Sequence, residues 1–231
     1  MAPSRINPLY IIFFFAFNMV MLELHEQAHL ITGYGICGCY GTRVVNTWNT
    51  CTDCRQAGWL FLAAFAGPLF SYWMIWMGTF FFLRATDMHK RSMGFALVFA
   101  NMPLARVVTA IMGGGDEKAG FALMGFPVPV AKLLAMVLVL FACLLPLVQI
   151  GRRMSEKRKW WALAGFGIIP MLYGFLYSHR FLNYLLASGW GRRIRILGTP
   201  DLLIYHTVFM AIIGWIAWKM LVKNDNRTVI S

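Results

Sequence analysis

Six long apolar runs, separated by short polar segments, dominate the hydropathy pattern of the chain. Each run reaches the roughly 20 residues that a helix needs to cross a hydrocarbon layer about 30 Å thick. This length favours membrane-spanning helices over strands or buried core helices. The pattern therefore predicts an all-α polytopic membrane protein with about six transmembrane helices. The predicted spans are residues 8–33, 57–83, 92–112, 128–150, 160–186 and 201–222.

The composition is that of a membrane protein. Hydrophobic residues make up 59% of the 231 residues, 13% are charged, and the mean hydropathy is +0.63, which is too apolar for a soluble domain of this length. Because the connections are short, residues 1–231 are expected to form one membrane-embedded domain. Residues 1–126 hold the candidate chemistry, and residues 127–231 add further transmembrane helices. We expect an integral, multi-pass protein surrounded by lipid bilayer.

The formal charge of +12 does not indicate nucleic-acid binding. Basic residues lie in short clusters beside the spans, at 151–159 and 191–195, where Lys and Arg commonly flank membrane helices. The sequence has no recognisable nucleic-acid-binding motif, and little soluble surface is expected. Nucleic acid is therefore not an expected partner.

The most informative segment is HEQAH, residues 25–29, inside the first run. On a helix, His25 and His29 lie about 40° apart on one face, one turn from each other, so both can bind one ion. Glu26 is placed to accept a proton from water activated by the metal, as in H-E-x-x-H hydrolases. Titratable groups in a span cost about 2.5–3.5 kcal/mol each, so the cluster indicates a metal site, and a cleaved signal peptide would not carry it. Glu23 is expected either to support a ligand histidine or to pair with another span.

A catalytic zinc usually takes three protein ligands, and depth in the membrane selects the third candidate. If the chain starts on side A, the two histidines lie near the opposite side, side B. The third run returns to side B at GGGDEK, residues 113–118, and its glycines let the backbone fold closely. We predict Asp116 as the third ligand, with Glu117 in reserve. The competing interpretation is a turn whose charges face water.

These motifs resemble the site-two protease family of intramembrane metalloproteases. The resemblance rests on HEQAH, on AAFAGPLFSY in the second run, and on NMPLARVVTAIMGGGDE in and after the third. It covers about the first half of the chain. It implies that two histidines and an aspartate bind zinc and that the glutamate of HEQAH acts as the base in cleaving transmembrane or membrane-proximal peptide bonds.

The resemblance extends to three further positions. Gly67 and Pro68 match the family's Gly-Pro pair, although both residues are also common in packed or kinked membrane helices. Asn101, with a proline two residues later, implies a substrate-binding amide near the site. The sequence departs from the family at Ser71, where asparagine is frequent, and in the longer spacing from Asn101 to Asp116.

Four cysteines lie in the first connection: Cys37, Cys39, Cys51 and Cys54. Their close pairs flank a strand-like stretch, TRVVNTW, at residues 42–48, which predicts a short β-hairpin. The four thiols could bind a second, structural zinc, form two disulfides or stay free, and the redox compartment decides between the first two. Cys143 lies in the fourth run, where packing accounts for it.

The orientation in the membrane is left open by the sequence. Side A carries twelve Lys and Arg, with one at the N-terminus, three around the second connection, five around the fourth and three near the C-terminus, against eight on side B. This excess favours side A in the cytosol. The family resemblance implies the reverse, with the metal near the cytosolic face.

We therefore expect a zinc-dependent metalloendopeptidase that hydrolyses peptide bonds of transmembrane or membrane-anchored proteins. A membrane zinc hydrolase acting on a lipid amide or ester would use the same metal chemistry. A non-catalytic metal-binding membrane protein is the third interpretation, although the intact Glu26 argues against it.

Overall fold

The computed structural model describes residues 7–154, 159–161 and 163–230. It is an all-α polytopic membrane protein, and these residues include six helices long and apolar enough to cross a membrane. Their bounds are Pro8–Cys37, Ala57–Arg84, Met88–Ile111, Val128–Arg153, Lys159–Ala187 and Asp201–Asn224. The prediction of six spans is confirmed, with ends that differ from the predicted ones by a few residues.

The described residues contain nine α-helices, eight of them in the spans and one in a connection, and the connections also contain two small hairpins. The helices are α1 (Pro8–Cys37), α2 (Leu60–Arg84), α3 (Met88–Ala100), α4 (Pro103–Ile111), α5 (Asp116–Leu123), α6 (Val128–Arg153), α7 (Ile169–Tyr173), α8 (Asn183–Ala187) and α9 (Asp201–Ile230). The strands are β1 (Arg43–Val44), β2 (Thr47–Trp48), β3 (Ile194–Ile196) and β4 (Thr199–Pro200), paired β1 with β2 and β3 with β4, both antiparallel. In the fifth span, π-helical turns at Leu163–Ile168 and Gly174–Leu182 flank α7.

Helix α1 is the central element of the bundle. Asn7 caps its N-terminus, with its side chain accepting from the Tyr10 N–H, and Gly38 ends it in the left-handed conformation at φ 73°. Its 30 residues span about 45 Å, more than the hydrocarbon thickness, so its last turns emerge on side B. It packs between α2 on one side and α9 on the other.

The third span is broken in the middle, which the hydropathy pattern did not predict. Helix α3 stops at Ala100, Met102 takes a positive φ of 48°, and Pro103 starts α4. Proline disfavours helical conformation in the residue before it and lacks the N–H that would continue the helix, which explains the break. The glycines after α4 turn the chain sharply, with Gly113 at φ 74° and Gly115 at φ 98°, and α5 begins at Asp116.

The connection after α1 is held close to the bundle by covalent and ionic links. The predicted hairpin is present as β1 and β2, and the cysteines form two nested disulfides, Cys37–Cys54 and Cys39–Cys51. The sequence left a structural zinc, two disulfides or free thiols as alternatives, and the structure contains the two disulfides. The bonded sulfurs are not available as thiolates for a structural zinc.

The hairpin is anchored by a buried ion pair with α1. The Arg43 guanidinium donates to both carboxylate oxygens of Glu23, at 2.7 and 2.9 Å, and its side chain is fully buried. At the hairpin turn, the Val45 N–H donates to the Asn183 side chain at 3.0 Å. These contacts fix the hairpin against α1 and the end of the fifth span.

We expect Arg43→Ala to lower the free energy of unfolding by about 3–5 kcal/mol, because it leaves the Glu23 charge buried without its partner. Equilibrium unfolding in mixed micelles measures this loss. Arg55→Ala, in the same connection but exposed, should stay within about 0.5 kcal/mol of the wild type. The double variant Glu23→Gln/Arg43→Met should recover much of the loss, and equal effects of the Arg43 and Arg55 variants would contradict the role given to the ion pair.

Candidate metal centre

Two histidine side chains of α1 lie on the helix face that packs against α2. His25 is 6% exposed and His29 is fully buried. Both rings lie directly over Gly67 of α2, where a Cβ atom would come within 2.3 Å of His29 Nε2 and 2.7 Å of His25 Cε1. Only glycine leaves room for the imidazoles at this point of the interface. Gly67 therefore has a steric role in the site.

The ring of His29 is held in the tautomer that can bind a metal. Its Nδ1 lies 2.7 Å from the Ala63 carbonyl oxygen, which can only accept a hydrogen bond. The proton is therefore on Nδ1, and Nε2 keeps its lone pair. The Trp48 ring stacks on the imidazole from the hairpin, with centroids 4.7 Å apart and planes at 17°. The Ala63 carbonyl and the Trp48 ring thus fix the position and orientation of the imidazole.

The ring of His25 has two competing partners at Nδ1. The Ser71 hydroxyl lies 3.1 Å away and the Arg106 guanidinium 2.8 Å away, and Arg106 also donates to Ser71 Oγ at 3.0 Å. An Nδ1–H that donates to Ser71 leaves the Nε2 lone pair free, whereas an Nδ1 that accepts from Arg106 requires the proton on Nε2. Metal binding needs the first arrangement, so Ser71 and Arg106 together control the ligand state of His25.

The glycine turn brings Asp116 to the two imidazoles. Its Oδ2 lies 3.3 Å from His25 Nε2 and 3.5 Å from His29 Nε2, and its side chain is 38% exposed. Burial acts to raise the pKa of Asp116, but the two imidazoles beside the carboxylate outweigh burial and hold the pKa well below its ordinary value. The carboxylate is therefore ionised at neutral pH and has the charge of a metal ligand.

The three donor atoms have the spacing of a tetrahedral metal site. The two Nε2 atoms are 3.2 Å apart, and their distances to Asp116 Oδ2 are 3.3 and 3.5 Å. Ligand atoms about 2.0–2.1 Å from a tetrahedrally bound ion lie about 3.3–3.4 Å from one another. Two imidazoles and one carboxylate form a donor set that suits zinc and leaves a fourth position open. The residues present therefore fit a metal ion.

The carboxylate of Glu26 projects from α1 beside the ligand face, about 100° from His25 and about 60° from His29 around the helix. The side chain is 8% exposed and lines a small cavity that is bounded in part by α9. Its Oε2 atom is buried and has no hydrogen-bond partner among the described residues. An unpaired buried carboxylate oxygen is costly in a bundle interior, which makes this atom a candidate for a chemical role.

Glu117, the reserve candidate for the third ligand, is engaged elsewhere. Its carboxylate accepts from the Tyr72 hydroxyl and lies 3.5 Å from Arg106 Nη1. Arg106 also lies over the Tyr72 ring, with its guanidinium carbon 5.7 Å from the ring centroid. Glu117 thus neutralises the arginine that contacts His25. The structure brings Asp116 to the histidines and directs Glu117 into this supporting network.

Two other candidate residues lie outside the ligand cluster. Asn101 occupies the break between α3 and α4, where its amide nitrogen donates to the Leu97 carbonyl at 2.7 Å. The neighbouring Ala100 carbonyl accepts from Asn18, which precedes His25 by seven residues, or about 10 Å along α1. Substrate binding by Asn101 stays a prediction. Glu23 pairs with Arg43, which answers the question left open for this glutamate.

Arg106 and Trp48 are site residues that sequence reasoning missed. A signal for Arg106 was present, because a lone arginine inside an apolar run must have a polar partner. Its partners could not be named, since they come from α1, α2 and α5. Trp48 had no such signal, because only the folded hairpin places its ring on His29.

No protein-family model, curated protein or solved structure matches the chain. The site must therefore be interpreted from its own geometry, and the resemblance to site-two proteases remains a hypothesis.

We expect Gly67→Ala to weaken metal binding by about 10–100-fold, because the added methyl group displaces both imidazoles from Asp116. The affinity is measured by competition with a chelating zinc indicator in detergent. Gly35→Ala is the matched control, because a Cβ at Gly35 of α1 meets no atom within 4 Å and should leave the affinity unchanged. Equal affinities of the two variants would contradict the steric role of Gly67.

Proposed function

We propose that this protein is a zinc-dependent intramembrane endopeptidase of the site-two protease type. The observation that carries the proposal is the convergence of His25 Nε2, His29 Nε2 and Asp116 Oδ2 at tetrahedral spacing, with Glu26 next to a ligand on the same helix. Three ligands and an open position are the arrangement of catalytic rather than structural zinc.

A zinc ion bound in such a site lowers the pKa of water and polarises a carbonyl group. His25, His29 and Asp116 would hold the ion. Glu26 would accept a proton from the attacking water and return it to the leaving amine, as the general base and then the general acid. The Ala63 carbonyl and Ser71 would keep the two imidazoles in their binding tautomers.

The surroundings of the site support a peptide substrate within the membrane. The two candidate histidine ligands lie within the last four turns of the membrane-spanning helix α1, next to the two-stranded hairpin β1–β2. A substrate helix must unwind to expose its scissile carbonyl, and unwound backbone in a bilayer needs hydrogen-bond partners. A strand edge can supply them by pairing with the extended segment, and Asn101 can supply an amide.

The first test is the metal content of purified protein without added chelator. We expect about one zinc per chain in the wild type, as a site with three protein ligands requires. His25→Ala, His29→Ala and Asp116→Ala should lose the metal, because each removes a ligand. Glu26→Gln should keep it, since the glutamate is not a ligand, and Asp53→Ala, which removes an exposed carboxylate on side B, is the control for Asp116→Ala. A metal-free wild type would overturn the proposal.

The second measurement separates peptidase activity from other hydrolysis. The protein and a panel of single-span model substrates are reconstituted in liposomes, and products are identified by mass spectrometry. Cleavage by the wild type and none by the zinc-loaded Glu26→Gln variant is the expected result. Hydrolysis of lipid amides or esters in the same liposomes, with intact peptides, would assign the metal site to a lipid hydrolase instead.

A further inference from the structure

A small cavity separates α1 from the second half of the chain. It has a volume of about 50 Å³ and lies between α1, the hairpin turn, the fifth span and the first turns of α9. Its wall is mixed, with apolar side chains from all three helical elements and polar groups from Glu26, Ser178, His206 and Thr207. The cavity lies on the side of α1 that faces α9, away from the interface with α2.

Two polar atoms of the cavity wall have unused hydrogen-bonding capacity. Glu26 Oε2 and His206 Nε2 are both buried, and neither has a hydrogen-bond partner among the described residues. They come from different helices, α1 and α9, and line the same space. Leaving two such atoms unpaired in a membrane bundle would cost several kcal/mol, because lipid offers no partners.

Water has the size and the hydrogen-bonding groups that both atoms and the space require. A cavity needs roughly 10–15 Å³ to hold one water molecule and polar partners to bind it, and this cavity offers more than that volume with several polar groups in its wall. A peptide segment or lipid chain is far too large for it. We propose that the cavity is a hydrated chamber in which water bridges the Glu26 carboxylate and the His206 imidazole.

The chamber gives His206 a role in the proposed function, on which this part of the inference rests. Hydrolysis consumes one water molecule for each bond cleaved, and the side chain of the candidate base is only 8% exposed. Bound water beside Glu26 would be available for each turnover. His206 is then a positioning residue, which orients the chamber water and the carboxylate without binding the metal.

Hydration can be measured without a substrate by X-ray hydroxyl-radical footprinting of the purified protein. Met19 lines the chamber and accepts a hydrogen bond from Ser178 at 3.4 Å, whereas Met21 is packed in the apolar core. The two methionines are on the same helix and are 4% and 6% exposed, so Met21 is the matched control. We expect Met19 to be oxidised several times faster than Met21, because radicals form where water is bound.

Two variants test whether the side chains that line the chamber hold its water. Ser178→Leu fills the chamber and His206→Phe removes a polar partner, so both should reduce Met19 oxidation toward the rate of Met21. Zinc content should stay at the wild-type level in both variants, and the rate of peptide hydrolysis should fall. Equal oxidation of Met19 and Met21 in the wild type would overturn the hydrated chamber. A wild type that contains no zinc but still shows faster oxidation of Met19 than of Met21 would overturn the proposed function and leave the hydrated chamber standing.

A separate observation bears on the orientation in the membrane. The two disulfides lie in the connection that follows α1 directly, and Cys37 is only eight residues, about two helical turns, beyond His29. Disulfides form and persist in oxidising compartments and are rare in the cytosol. The disulfides and the candidate metal centre are at the same end of the bundle, side B.

The distribution of basic residues agrees with this placement. Side B carries eight Lys and Arg against twelve on side A. The excess of Lys and Arg marks the cytosolic side. We infer that side B, with the metal centre, faces the non-cytosolic compartment. Substrates of the proposed protease would then be cut near the non-cytosolic ends of their membrane segments, the reverse of what the family resemblance implies.

Labelling of intact cells with a membrane-impermeant maleimide tests the orientation. Arg192→Cys lies on side B and Arg152→Cys on side A, and both positions are exposed. We expect Arg192→Cys to be labelled in intact cells, and Arg152→Cys only after permeabilisation. The opposite pattern would overturn the orientation and leave the metal content, and with it the proposed function, untouched.

Discussion

A polar side chain inside a bilayer must be satisfied by other groups of the protein, and this requirement organises side B of the bundle. Glu23, His25 and His29 of one helix meet it in different ways. Glu23 pairs with Arg43, and His29 with the Ala63 carbonyl, while His25 meets Ser71 and Asp116. The partners come from the hairpin, α2 and the start of α5. The elements that cover the end of α1 are therefore held there by its polar groups.

The helical periodicity of α1 directs the candidate metal ligands and the candidate base toward different neighbouring helices. Residues four apart face the same neighbour, so His25 and His29 both pack on α2, over Gly67. Glu26 is rotated by about 100° from His25 on the helix and reaches the cavity that α9 bounds. One helix thus presents metal ligands to one partner and a candidate base to another. The second half of the chain, which carries no recognisable motif, supplies the far wall of the site.

The contacts of Arg106 explain how the third span can hold a basic residue in this fold. Arg106 contacts Ser71 and His25 on one side and Glu117 on the other, and lies over the Tyr72 ring. Its charge is offset by Glu117, so no net charge is left buried. The break at Met102 and Pro103 sets the register of α4 that carries this arginine. An irregular element therefore serves the site directly.

Hydropathy alone determined the number and approximate limits of the spans, because a bilayer permits few solutions to the burial of backbone polar groups. The spacing of His25 and His29 likewise determined that they share a helix face, and depth favoured Asp116, which the fold brings to them. The break at Met102 was not predicted, although Pro103 gave a local signal for it.

Other features were decided by tertiary structure. The choice between Asp116 and Glu117 depends on the turn at Gly113–Gly115, since adjacent residues at the start of a helix point in different directions. The pairing of the cysteines, the stacking of Trp48 on His29, and the placement of Glu26 and His206 around one cavity depend on the packing of distant segments. Sequence periodicity describes one helix at a time and carries no information about which helix lies opposite. The sequence thus determined the chemistry available on α1, and the packing of its neighbours decided which groups that chemistry meets.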